Sequence, residues 1–376
     1  MCSTNRTLPL LPARAANGVD MVGAWAVNSV YCTDALTMLA GLPDASVNLI
    51  TVDWPYNGVK DEEWDNQWAT DSDYLAWMKT HLLEMRRVLT PNGSYYGFAS
   101  PRMAARVEVL TGDVFNVINR ITWRKPPYST KAEMFDKDMM RGYFPASEAV
   151  VFAEQYSGDR LYQGALIDGN SNYWEALEGA KVSIIGDYLR QEFTRAKVTN
   201  RQIAQLFPSA TGGLTGCVSN WLLGYNIPTP EQYSKMRAFL NDTGGDYLRR
   251  EYEDLRREYE DLRRPFNVSA DVPYTDVWDF PTVGTYAGKH PCEKPLTMMQ
   301  HIVSASSRPG DIVLDCFCGS GNSMVAAKTL GRRYIGCDRD SHWVQVSTNK
   351  LVTEFGQRRK THKPIDDLPL FAKLAG

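Results

Sequence analysis

Ile312-Val313-Leu314-Asp315-Cys316-Phe317-Cys318-Gly319-Ser320-Gly321 is an apolar run that ends on an acid and breaks into glycines. Such a run predicts a strand buried on both faces. Gly319 and Gly321 let the backbone turn sharply and approach a ligand, and a helix expected over Asn322–Leu330 points its amino end at that ligand. Ligands of open α/β sheets bind beyond the carboxyl ends of the strands, so Asp315 marks a site. A second strand, Arg333–Cys337, ends at Asp338, an acid placed to accept hydrogen bonds from a ribose diol. The same geometry could serve a nicotinamide dinucleotide, but the full G-x-G-x-x-G is absent, because Met324 stands three places after Gly321.

Upstream, the chain alternates in the same way. Val30–Cys32 reads as a strand, Ala35–Ala40 as a helix, and Val47–Val52 as a buried strand ending at Asp53. Tyr74–Leu89 carries Leu75, Met78, Leu82, Met85, Val88 and Leu89 at helical spacing. Pro91-Asn92-Gly93 ends that helix, and Ser94–Ala99, Val117–Trp123 and Ala149–Phe152 are further strands. Leu296–Ser306 reads as a helix. This alternation implies an α/β fold: a mostly parallel sheet with helices on both faces.

The rhythm breaks between about 154 and 270. Asn200–Leu206 followed by Val218–Leu222 resembles a helix-turn-helix pair, with Gly212-Gly213 lengthening the turn; a plain helical insertion is the alternative. Arg250–Arg256 and Arg257–Arg263 are the same seven residues, REYEDLR. Tyr252, Leu255, Tyr259 and Leu262 form one apolar stripe, and Glu253–Arg257 and Glu260–Arg264 are spaced as ion pairs. Two heptads are short for a coiled coil, so a helix resting on the body or reaching to a partner is expected before a dimer seam, although a homodimer stays open. The expected divisions are an arm (1–28), a first sheet half (29–153), a mainly helical insertion (154–270), a second sheet half (271–356) and a basic, irregular tail (357–376).

The chain has 376 residues, of which 43% are hydrophobic and 11% aromatic, values of a folded globular protein. No run approaches the roughly 18 apolar residues of a membrane span and no signal pattern opens the chain, so no membrane association and a cytoplasmic location are expected. The seven cysteines show no zinc spacing, and no metal is expected. A net charge of −3 leaves nucleic acid open, since a binding face needs only local positive charge. Such clusters occur at Arg120, Arg124, Lys125 and Lys131, at Arg190, Arg195, Lys197 and Arg201, and at Arg358, Arg359, Lys360 and Lys363.

Asp53-Trp54-Pro55-Tyr56 is suited to an exocyclic amine of a nucleobase. The lone pair of that nitrogen is delocalised into the ring, so a site that methylates it must accept its N–H bonds and let it become tetrahedral. Asp53 offers a carboxylate oxygen and Trp54 a backbone carbonyl. Pro55 biases Trp54 toward an extended conformation, and Tyr56 gives a face for stacking.

These motifs together resemble the DNA amino-methyltransferases. His290–Leu296 matches H-P-x-x-K-P-L, Asp315–Gly321 matches D-x-F-x-G-S-G, and Gly331–Asp338 matches G-R-x-Y-I-G-x-[DE]. Asp53–Tyr56 is similar to D-P-P-Y, with Trp54 in the second place. Leu42–Ile50, Glu84–Gly93 and Ile121–Pro126 match the family's lead-in, scaffold helix and I-x-W-x-K-P segment. The resemblance implies a circularly permuted Rossmann-like sheet, with the catalytic half first, that uses S-adenosyl-L-methionine and acts on double-stranded DNA by base flipping.

It further implies that Asp53, Trp54, Pro55 and Tyr56 are catalytic. Asp34, Lys294, Pro295, Asp315, Phe317, Cys318, Gly319, Ser320, Gly321 and Asp338 would hold the cofactor, with Lys294 reaching its carboxylate. Trp123 and Lys125 would lie beside an extruded base, and Arg195, Lys197, Arg201 and Gln202 of the insertion would contact DNA. Ser147-Glu148 stands where the family has His-Glu. Adenine-N6 is the expected target; cytosine-N4 methylation and a DNA-binding module without catalysis are the alternatives. Nothing in these residues names a partner nuclease.

Overall fold

Val47, Leu49, Ile50 and Val52 are fully buried and form the centre of β4 (Val47–Asp53), the strand around which the sheet is organised. The computed structural model describes residues 20–59, 61–125, 141–143, 145–155, 182–242, 244–261, 264–268 and 274–358. Expectations for the first arm residues, Lys131, Pro126, Leu262 and the basic tail from Arg359 lie outside these. Residues divide into two units, 1–155 with 265–376 and 156–264.

In the first unit, a two-stranded hairpin of β1 (Met21–Val22) and β2 (Trp25–Ala26) precedes the main sheet. The end of the expected arm is thus ordered, and the Trp25 indole donates to the Met38 carbonyl at 2.9 Å. The main sheet contains β3 (Ser29–Cys32), β4, β5 (Leu89–Ala99), β6 (Asn116–Arg124), β7 (Ser147–Glu154), β8 (Val277–Trp278), β9 (Ile312–Asp315) and β10 (Arg333–Asp338). Their order across the sheet is β3-β10-β9-β4-β5-β7-β6-β8. Neighbours are parallel except where β7 runs antiparallel to β5 and β6. β5 starts at Leu89 rather than Ser94. Val47 pairs with Leu89 and a register shift follows, so Pro91-Asn92-Gly93 is carried within the strand.

Chain order reverses between β4 and β9, which pair directly through Leu49 with Val313 and Ile50 with Leu314. Their carboxyl ends, Asp53 and Asp315, therefore open on one crevice. Five helices bear on this: α1 (Ala35–Ala40), α2 (Asp71–Val88), α3 (Ala104–Gly112), and, later in the chain, those at Leu296–Ser306 and Asn322–Thr329. Helix α2 starts at a reciprocal capping box between Thr70 and Asp73 and buries Tyr74, Met78, Leu82 and Met85. No described helix is long and apolar enough to cross a membrane.

Trp123 is only 2% exposed, and its indole donates to the Phe280 carbonyl at 2.8 Å. It belongs to the core cluster with Phe98, Ile121 and Trp278. The cationic cluster around it is also committed internally. Arg120 pairs with Glu108, Arg124 with Asp279 and Lys125 with Glu148.

The second unit is helical: α4 (Tyr188–Arg195), α5 (Asn200–Ala204), α6 (Cys217–Leu222), α7 (Pro230–Asn241) and α8 (Tyr252–Asp261). Its own core gathers Leu189, Phe193, Ile203, Trp221, Met236 and Leu255. The two helices of the expected helix-turn-helix are present, but a bridge between Pro208 and Leu214 makes their connection a looped turn. That is longer than the three or four residues the usual motif has. The REYEDLR stripe packs inward through Leu255 and Tyr259. Its ion pairs include Glu253–Arg256, Asp254–Arg257 and Arg250–Glu258.

In the first unit again, α9 (Leu296–Ser306), α10 (Asn322–Thr329) and α11 (Ser341–Arg358) complete the fold. Trp123→Ala should destabilise the protein by about 3–5 kcal/mol in denaturant unfolding, the usual cost of emptying an aromatic core position. A loss below about 1 kcal/mol would return Trp123 to the surface.

Candidate active site

The strand β9 ends at Asp315, which is buried and held from two directions. Its Oδ1 accepts the Phe317 N–H at 3.0 Å, and its Oδ2 accepts the Ser323 hydroxyl. Burial pushes its pKa up to about 7, against those two hydrogen bonds. Gly321 has φ +80°, and a Cβ there would lie 2.6 Å from that of Ser347 in α11, so the turn tolerates only glycine. The Gly319 N–H donates to Asp338 Oδ2 at 3.0 Å, fixing the end of β10 against the turn. Burial raises the Asp338 carboxyl above its ordinary value. Asp34 caps α1, accepting the Leu36 N–H at 2.9 Å, just after the strand that pairs with β10.

Asp53 leaves β4 into the same crevice. A pocket there is lined by Thr51, Asp53, Lys294, Phe317, Ser320 and Asn322 among others. Asp53 Oδ2 accepts from Lys294 Nζ at 2.7 Å, whereas Oδ1 is buried and without a hydrogen-bond partner. Burial raises the Asp53 carboxyl, Lys294 draws it down, and Glu148 raises it again. Two more pocket atoms are buried and unpartnered, Thr51 Oγ1 and Asn322 Oδ1. The Asn322 amide nitrogen donates to Glu293 Oε1 and to the Lys294 carbonyl, which fixes the oxygen as the free end.

The residues after Asp53 are each held by something specific. The Trp54 indole donates to the Tyr95 hydroxyl at 2.9 Å, and its ring tilts against Phe317 with centroids 5.4 Å apart. Trp77 and His81 of α2 close the same aromatic group. The Pro55 carbonyl accepts from Tyr74 at 2.7 Å. Asp65, fully buried, accepts the N–H groups of Tyr56, Asn57 and Val59 and so shapes the loop. Tyr56 donates to Glu148 Oε2 at 2.8 Å.

Glu148, which the sequence reading noted without giving it a role, joins these groups. It accepts from Lys125 and Tyr56 and lies 3.4 Å from Lys294. Burial alone would raise its carboxyl, but Lys294 and Lys125 outweigh that and bring it down to about 2. Its signal was its position at the start of a buried strand. Asp65 and Asn322 were also missed; only the folded loop and turn reveal what they hold. Lys294 was placed toward the cofactor's carboxylate, yet it is bonded to Asp53. Pro295 precedes α9 and gives its carbonyl to Met299. Cys318 and Ser320 are buried in the glycine turn.

In the second unit, Arg195 pairs with Glu192, and Gln202 completes the capping box of α5 with Thr199. Lys197 and Arg201 are exposed. Among the described residues no His, Cys, Asp and Glu group is arranged to hold a metal.

A crevice built from two strand ends, a glycine turn and an acid-led tetrapeptide defines a group-transfer site for a nucleoside-like cofactor. The family model described as DNA methylase, for N6 and N4 chemistry, matches residues 47–349, and the chain belongs to that family. It is 25% identical over 322 residues to the DNA adenine methyltransferase YhdJ of Escherichia coli K12, covering 85% of this chain and 80% of that one. It is 26% identical over 306 residues to the type II methyltransferase M.EcaI of Enterobacter cloacae, covering 77% of this chain and 61% of the relative. Among solved structures, the cytosine-N4-specific PvuII DNA methyltransferase superposes with a TM-score of 0.48 and 13% identity, over 88% of this chain and 91% of that one.

The Asp315 carboxyl gives a pH test. An unfolded carboxyl titrates near about 4, so between there and 7 the folded state holds the proton that the unfolded state has lost. Its contribution to stability is therefore present below that lower value and lost as pH rises through the upper one. The difference in melting temperature between the wild type and Asp315→Asn should fall across this window. A difference independent of pH would contradict the burial assigned to this carboxyl.

Proposed function

We propose that this chain transfers a methyl group from S-adenosyl-L-methionine to the N6 amine of adenine in double-stranded DNA. The observation that carries the reading is Asp53 Oδ1, an unpartnered carboxylate oxygen buried in the pocket beside the glycine turn. An acceptor left open there is costly unless a ligand N–H fills it. The adenine target is favoured by the Escherichia coli relative, which is a DNA adenine methyltransferase.

The pocket fits the cofactor. Thr51 Oγ1 and Asn322 Oδ1 are free acceptors suited to the ammonium of a methionine group. Phe317 offers an apolar wall, and Asp338 stands at the strand end where a ribose diol would lie. When bound, the cofactor supplies an electrophilic methyl on a sulfonium.

The residues of this chain do the rest by positioning and electrostatics. Asp53 Oδ1 and the Trp54 carbonyl accept the two N–H bonds of the amine and turn its lone pair toward the methyl. Tyr56 stacks on the base, its ring held by the hydroxyl bond to Glu148 and by Asp65 at its backbone. The target base leaves the duplex to reach this depth. As the carbon–nitrogen bond forms and the sulfur–carbon bond breaks, the nitrogen sheds a proton toward the carboxylate it is bonded to. In the insertion, exposed Lys197 and Arg201 contact phosphates while Arg195, paired with Glu192, orients its neighbours; in the first unit Lys125, paired with Glu148, does the same.

Asp53→Ala should reduce methyl transfer by at least about a thousandfold while binding of S-adenosylhomocysteine persists. Mass spectrometry of digested product DNA should show N6-methyladenine. N4-methylcytosine, or an active Asp53→Ala variant, would overturn the assignment. Replacing Lys197 and Arg201 with alanine should weaken DNA binding and lower the slope of log affinity against log salt by about one per lost phosphate contact. An unchanged slope would move the phosphate contacts elsewhere.

A further inference from the structure

Lys294 reaches the catalytic crevice from the turn before α9, where two of its N–H bonds have acceptors and a second carboxylate pairs with its charge. Asp53 Oδ2 lies at 2.7 Å, the Cys292 carbonyl at 3.3 Å and Glu148 Oε2 at 3.4 Å. Its ammonium also sits over the faces of Tyr56 and Phe98, at 5.2 and 5.0 Å from the ring centres. Side-chain exposure is 7%. A lysine so enclosed is committed first to the carboxylates of this chain.

We infer that Lys294 and Glu148 are positioning residues for methyl transfer: Lys294 clamps Asp53 by one oxygen so that the other faces the substrate amine, and Glu148 locks Lys294 and Tyr56 together. This rests on the methyltransferase reading above. Each partner has a distinct geometric job. Lys294 stops Asp53 from rotating, which leaves Oδ1 as the carboxylate oxygen without a hydrogen-bond partner. Glu148 takes the Tyr56 hydroxyl on the oxygen that faces Lys294, so the stacking ring and the clamp move as one body. Lys125 anchors the opposite oxygen of Glu148 from the end of β6. The chain thereby links β4, β6, β7 and the turn at 290–295 through four side chains.

The clamp also sets the charge on Asp53. Facing that carboxyl are Lys294 from the turn, Glu148 from β7, Tyr56 from its own loop, Tyr74 from α2 and Asp315 from β9, with the Cys292 thiol beside Lys294 and Tyr56. Lys294 is the one cation in this set. Removing it leaves a buried carboxyl among acids, whose proton is harder to lose. Removing the negative charge of Glu148 acts in the opposite sense.

The test uses full-length protein, methyl transfer to DNA at saturating cofactor as a function of pH, and calorimetric titration with S-adenosylhomocysteine. The wild type must transfer methyl; if it does not, the functional reading fails before the clamp is examined. For Lys294→Met the account expects kcat to fall at least about a hundredfold, with affinity for S-adenosylhomocysteine within about threefold of wild type. The acid limb of its pH profile should move up by at least about one unit. Lys294→Arg should recover part of kcat. Glu148→Gln, which keeps shape and the tyrosine contact, should move the acid limb down. Opposite movements of the limb are not produced by a merely structural loss, and Glu148→Gln reads the clamp even if Lys294→Met folds poorly. A tenfold or greater loss of S-adenosylhomocysteine affinity in Lys294→Met, with kcat preserved, would make Lys294 a cofactor anchor and overturn the inference. Limbs that move together, or do not move, would overturn it as well.

Discussion

A lysine and an aspartate 241 residues apart meet at 2.7 Å, and the catalytic arrangement depends on that meeting. Burying two opposite charges adds little net stability, because the loss of hydration offsets their attraction. What the pair supplies is position. Removing either partner leaves an uncompensated charge in the interior, so neither can drift without cost. The pair also converts one of two equivalent carboxylate oxygens into an anchored one and leaves the other open.

The sheet makes this meeting possible. β4 and β9 come from opposite ends of the chain yet lie side by side at the point where strand order reverses. Asp53 thus faces the glycine turn across the crevice rather than along the chain. The turn itself is held by Ser347 behind Gly321 and by Asp338 beside Gly319, so α11 and β10 both brace it. Such bracing suits chemistry that passes through no covalent enzyme intermediate and gains its rate from placement and electrostatics.

The buried runs Val47–Val52 and Ile312–Leu314 were legible in the sequence because strands covered on both faces carry unbroken aliphatic residues. Helices Ala35–Ala40 and Leu296–Ser306 were read in the sequence at the bounds they have in the fold. α11 was not, since few of its residues face the core and Ser347, one of them, is polar. Nor was the early start of β5, where parallel pairing with Val47 overrides the turn chemistry of Pro91-Asn92-Gly93. In the site, Asp53, Asp315 and the glycines stood out by residue type and place. Glu148 and Asp65 did not, because an acid's role follows from which donors the fold brings to it. Trp123 reads alike as core or as an aromatic platform until its indole is seen bonded to Phe280.

The most direct measurement is a crystal structure of the protein soaked or grown with S-adenosylhomocysteine. The account predicts the sulfur beside the crevice between Asp53 and Ser320, with the Lys294–Asp53 bond intact and the ligand's ammonium on Asn322 and Thr51. A ligand bound away from the glycine turn, or Lys294 swung off Asp53 onto the ligand's carboxylate, would contradict it.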